Sequence, residues 1–150
     1  MTEIRFYHLQ KTPLDHALPM ILEKAIEGKF KILIKVPDAT AKKRLDDWLW
    51  NYKSDSFLAH GVAGGDFDAD QPILISENDD DIPNNANMLV LTDGCTAENL
   101  DRFDLCCEML NGHVEAQVQN ARTRWKDYKD KGFQITYWAQ DEQGRWSKKA

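Results

Sequence analysis

Two hydrophobic periods alternate through the first fifty residues, and this alternation limits the fold more than any other feature. "EIRFYHL" (3–9) is aromatic and β-branched with a period of two, which predicts a strand. Apolar residues then recur at Leu14, Ala17, Leu18, Ile21, Leu22, Ala25 and Ile26, the spacing of one helix face, with Gly28 placed to cap it. "FKILIKV" (30–36) predicts a second strand, stopped by Pro37. Asp38 or Thr40 can cap the following helix, "ATAKKRLDDWLWNY". Strand, helix, strand, helix is the signature of parallel pairing through crossovers. The expected fold is α/β: a single three-layer domain over residues 1–150 with a mostly parallel, Rossmann-like central sheet.

Later segments fit that frame. "HGVAGGDFDADQ" (60–71) is rich in Gly and Asp and predicts a loop. "PILIS" (72–76) and "NMLVLTDG" (87–94) are short apolar runs, the second suited to a strand buried on both faces. "RFDLCCEML" (102–110) sets Phe103, Leu105, Cys107 and Met109 on one side, which favours a strand. A long helix is expected over roughly 113–131, closed by Gly132, then a strand "FQITYWAQ" and a tail in which 143–150 forms a turn and a frayed end. No repeat or interdomain linker is evident.

Charge is distributed unevenly. Residues 1–60 carry net +2, residues 61–110 net −11 and residues 111–150 net +3, in a chain of net −6. An acidic protein repels a phosphate backbone at long range, so bulk nucleic-acid binding is disfavoured and any anion must meet a local patch. That patch is "QNARTRWKDYKDKG" (119–132), where Arg122, Arg124, Lys126, Lys129 and Lys131 stand against two acids. At 100° per residue, Val114, Ala121, Trp125 and Tyr128 form one stripe that should face the sheet. Val118, Arg122, Lys126 and Lys129 form the adjacent stripe, with Trp125 on the border. Cations beside an indole suit a short acidic peptide with a bulky apolar anchor. A solvated face that balances the acidic middle of the chain accounts for the same charges.

The ordered set "LDDWLW…SFLAHG" (45–61), "QPILIS" (71–76), "NNANMLVLTDG" (84–94) and "ARTRWKDYKDKGFQITYW" (121–138) resembles the chi subunit of bacterial DNA polymerase III. The resemblance runs over most of the chain and begins with the aromatic strand "FYHL". It implies a non-catalytic protein without cofactors that ties the clamp-loader complex to single-stranded-DNA-binding protein (SSB). It implies that the acidic C-terminal tail of SSB docks on Arg122, Trp125 and Lys126. Lys129 and Val118 join them on geometric grounds, Val118 standing where some members carry a cation. Contact with single-stranded DNA is then indirect. The implied second surface receives the psi subunit, where that partner exists, on Trp50 and Phe57 with His60 nearby; Ala59 replaces the Pro usual in the family.

Other classes are weaker on the residues. "LDDWLW" puts Leu45, Trp48 and Leu49 on one helical face, so Trp48 is expected in the core and Trp50 outside it. "GVAGG" lacks the spacing of a phosphate-binding loop, and "NDDDIPNN" (78–85) lacks the alternation of a calcium loop. "DDDIP" does resemble the core of an SSB tail, which raises self-mimicry as a hypothesis. The four His and three Cys show no zinc-like spacing, so no metal is expected. Odd, unpaired cysteine usage and the absence of an export signal or an 18-residue apolar run predict a cytoplasmic protein. Two alternatives stay open: a small α/β enzyme with a site at the strand C-termini using His60 or Asp93, and a direct single-stranded nucleic-acid binder using Trp125 and the basic helix.

Overall fold

The computed structural model describes residues 2–10, 12–52 and 58–150. Its strands are β1 (Glu3–Leu9), β2 (Ile32–Lys35), β3 (Gly61–Val62), β4 (Ile73–Ser76), β5 (Met88–Leu91), β6 (Leu105–Asn111), β7 (Gln134–Gln140) and β8 (Trp146–Lys148). The α-helices are α1 (Leu14–Glu27), α2 (Ala39–Asn51) and α3 (Glu115–Asp130). Among the described residues the strands make one sheet in the order β3-β4-β2-β5-β6-β1-β7-β8. Every pair is parallel except β7 with β8. The α/β expectation holds.

Two apolar layers flank the sheet. One joins Ala17, Leu18 and Leu22 of α1 with Ala41, Leu45 and Leu49 of α2 over one face. The other joins Ala121 and Tyr128 of α3 with Ile4, Phe6, Leu89 and Leu110 over the opposite face. Strands buried on both sides read as continuous apolar runs, as "ILIS", "MLVL" and "LCCEML" do here.

Helix ends follow their local chemistry. Asp38 rather than Thr40 caps α2, its Oδ1 accepting the Ala41 N–H at 2.8 Å. Gly28 caps α1 but keeps φ −78, and the left-handed residue is Lys29 at φ 65. Gly132, at φ +87, closes α3: its N–H reaches the Lys129 carbonyl, the Phe133 N–H reaches the Tyr128 carbonyl, and the rings of Tyr128 and Phe133 meet edge to face. Pro19 inside α1 lacks the N–H that would bond the Asp15 carbonyl, and the Trp48 indole N–H of α2 takes that carbonyl instead. Trp48 is therefore half-buried at the α1–α2 seam rather than fully in the core.

Four expectations need correction. Residues 60–71 are not all loop, because Gly61–Val62 pairs with β4 as an edge strand and Asp68–Asp70 makes a 3-10 turn. Residues 143–150 are not frayed: Gly144 turns at φ +80 and β8 returns along β7. The Trp146 ring meets Tyr7 edge to face at 5.1 Å and anchors that return. Phe103 precedes β6 and packs with the α3-side layer, whereas Leu105, Cys107 and Met109 face α1 and α2. Val114 precedes α3 and is exposed.

The acidic loop is built into the fold. Asp79 pairs with Lys35 at 2.7 Å, Ile82 packs on the α3-side layer, and buried Asn84 donates to the Ile32 and Gln71 carbonyls. "DDDIP" is thus tied into its own fold through Asp79 and Ile82.

Candidate functional site

The basic helix is set on the sheet by aromatic packing. Phe6 of β1, fully buried, contacts the rings of Trp125 at 5.5 Å, Tyr128 at 6.0 Å and Tyr137 at 6.2 Å. Trp125 meets Tyr137 of β7 edge to face at 5.9 Å. Below them Arg124 turns inward, its Nε and Nη2 both 2.7 Å from Oε1 of Glu108 on β6. Glu108 is 2% exposed, and burial pushes its carboxyl above the ordinary value while Arg124 opposes that shift. One of the five cations is thereby spent on orienting the helix.

With Arg124 turned in, Arg122 and Lys126 face out. An open cleft of about 400 Å³ lies between α3 and β7, lined by Ala121, Arg122, Trp125, Lys126, Tyr137 and Ala150. Its floor is apolar and its helical wall carries two cations. The Tyr137 hydroxyl bonds Nδ1 of His8. Burial, then the positive charges of Arg122 and His113, hold His8 below its ordinary value. Burial raises Tyr137, with Arg122 opposing.

The structure thus brings Arg122, Trp125 and Lys126 together. Val118 is half-buried against the layer beneath α3, and Lys129 is exposed further along the helix; neither lines the cleft. Tyr137 and Ala150 are lining residues that the sequence reading missed. Alternation in 134–140 sets Ile135 and Tyr137 on the α3 side, a signal that could have found the first.

The second predicted surface lies on α2, across the sheet from α3. Trp50 is 53% exposed, and its ring packs on His60 at 4.5 Å. The His60 side chain is fully buried, with Nε2 at 2.9 Å from Asp46 Oδ1 and Nδ1 at 2.7 Å from the Leu58 carbonyl oxygen. His60 therefore supports Trp50 from behind. Phe57 lies outside the described residues.

At the C-terminal ends of β1 and β6 a smaller cleft of about 190 Å³ is lined by residues that include Gln10, Asp93, Asn111, His113 and Gln117. Of the two residues named for the enzyme alternative, Asp93 lines this cleft and His60 does not. Its polar groups are largely engaged with one another: His113 Nε2 lies 2.7 Å from the Gln10 carbonyl oxygen, and Gln117 accepts the Asn111 N–H. Both thiols of β6 are fully buried, and burial drives Cys107 up to about 12. Among the described residues no helix is long and apolar enough to cross a membrane.

Sequence comparison with known proteins points to one family. A curated protein of Rickettsia prowazekii (strain Madrid E), named as a probable DNA polymerase III subunit chi, is 31% identical over 91 residues. That match covers 61% of this chain and 54% of the relative, so the chain spans about half the length of the curated protein it matches. The sequence model described as "DNA polymerase III chi subunit, HolC" matches residues 1–136, from β1 through α3 into β7. The chain belongs to the DNA polymerase III chi-subunit family.

Proposed function

We propose that this protein is a non-catalytic adaptor of the replisome, one face holding the acidic C-terminal tail of SSB and the other joining the clamp-loader complex. The observation that carries the reading is the cleft beside α3: an apolar floor of Trp125 and Tyr137 under Arg122 and Lys126, in a protein of net charge −6. A peptide that ends in an apolar residue can place that side chain on the aromatic floor. Its carboxylates then meet the guanidinium fork of Arg122 and the ammonium of Lys126. Lys129, one turn further along, meets acids that precede the anchor. Val118 shapes the packing under the helix. Single-stranded DNA is reached only through SSB.

The α2 surface, with Trp50 exposed over buried His60, itself paired with half-buried Asp46, and with Phe57 close in sequence, serves as the docking face for the psi subunit where that bridge to the clamp loader exists. An exposed indole on a rigid support suits an interface anchor.

The test is a calorimetric titration with the last nine or so residues of the same organism's SSB, at low and physiological salt. Micromolar affinity, about −8 kcal/mol, that weakens with salt and collapses in Arg122→Ala is the expected result. Absence of heat at both salts would return the basic helix to a solvated face. Binding of single-stranded DNA in the absence of SSB, lost in Arg122→Ala, would instead favour a direct nucleic-acid role.

A further inference from the structure

The second wall of the cleft is the segment that follows β8. Antiparallel pairing of β7 with β8 runs Gln140 with Trp146, Ala139 with Ser147 and Trp138 with Lys148. Regular alternation would carry one residue opposite Tyr137; two are found there. The N–H groups of Lys149 (2.7 Å) and Ala150 (3.4 Å) both reach the Tyr137 carbonyl, and the Tyr137 N–H returns to the Ala150 carbonyl at 3.1 Å. Two residues opposite one is a β-bulge, a device that re-aims side chains at the end of a ladder.

Packed side chains on each layer assign the faces. Trp138 and Trp146 pack with the layer under α1 and α2, so Lys148, paired with Trp138, belongs to that side. Tyr137 packs with the α3-side layer, and Ala150 lines the cleft together with Arg122, Trp125 and Lys126. The bulge sets Lys149 beside Ala150, opposite Tyr137, and Lys149 is exposed.

We propose that Lys149 is a further cation of the acidic-peptide site, so that the ligand lies between two basic walls, α3 on one side and the bulged end of the sheet on the other. This rests on the reading of the α3 cleft as a peptide site. A single helical face would hold an acidic peptide by one flank and leave its other carboxylates to water. A groove with cations on both rims engages carboxylates on each side of the apolar anchor, and favours acids spread around that anchor over acids confined to one side of it.

The experiment compares two charge reversals of equal net effect, Lys149→Glu and Lys148→Glu, with Arg122→Ala, in the same titration of the nine-residue tail peptide at two salt concentrations. Lys149→Glu should weaken binding about tenfold and flatten its salt dependence, while Lys148→Glu should change affinity less than about twofold. Lys149→Ala, which leaves the bulge backbone unchanged, should give an intermediate loss. Equal effects of Lys149→Glu and Lys148→Glu, with Arg122→Ala still abolishing binding, would overturn the two-walled site and leave the α3 cleft standing. Undiminished binding by Arg122→Ala would overturn the cleft reading itself and this inference with it.

Discussion

At the scale of single residues, the fate of Arg124 decides what the basic helix can offer. Five cations look equivalent along "ARTRWKDYKDK", yet Arg124 is drawn to a carboxylate that is 2% exposed. Glu108 has one oxygen on Arg124, while among the described residues Oε2 has no hydrogen-bond partner. Burial raises its carboxyl above the ordinary 4.5, so the folded state keeps the proton to higher pH than the unfolded chain does. Stability from this group is then full below 4.5 and is lost as pH rises through the folded value. The expected outcome in urea unfolding across that window is a fall in wild-type stability relative to Glu108→Gln. Arg124→Met should steepen the fall and cost about 3 kcal/mol at neutral pH, because it strands a buried carboxylate. Parallel pH curves for wild type and Arg124→Met would show that the pair does not hold the helix. Helical periodicity put Arg122 and Lys126 on one stripe with Val118 and Lys129 and set Trp125 at its border, and the family resemblance singled out Arg122, Trp125 and Lys126. The cleft lining holds those three and neither Val118 nor Lys129. The inward turn of Arg124 was not legible, because its partner sits on a different element, sixteen residues earlier.

At the scale of elements, the strand–helix alternation was readable wherever one period ran uninterrupted. It failed where a tertiary partner decided the outcome. Gly61–Val62 pairs only because β4 offers an edge, and β8 exists because Gly144 turns the chain and Trp146 finds Tyr7. Neither three residues of strand nor two carry a period of their own. The α1–α2 seam shows the same dependence in energetic form. Pro19 frees the Asp15 carbonyl, and Trp48 satisfies it from the neighbouring helix. Trp48→Phe should therefore destabilise by about 1 kcal/mol in the native background. In a Pro19→Ala background the helix supplies its own N–H, and the same change should cost clearly less. A double-mutant cycle in chemical denaturation measures the difference, and strict additivity would mean the two residues are not coupled through that carbonyl.

At the scale of the whole molecule, the sheet separates the two surfaces that the proposed adaptor role would use. α3 packs on one layer and α2 on the other, so Trp50 and the cleft of Arg122 and Trp125 lie on elements of opposite faces of the sheet. A central sheet whose β2, β5 and β6 strands are largely buried on both faces is close-packed, which favours weak coupling between a peptide bound on one face and the far face. The two docking events should therefore be thermodynamically independent. Trp50→Ala should leave the affinity for the SSB-tail peptide within about 0.5 kcal/mol of wild type. Arg122→Ala should do the same for the partner proposed to dock on α2, and the double variant should show the sum of the two single losses. Under the proposed function, such independence would let an acidic tail on one face and an assembly on the other each exchange without disturbing its opposite. If Trp50→Ala weakened peptide binding tenfold, the faces would be coupled through the sheet. The protein would then act as a switch between partners rather than a fixed bridge.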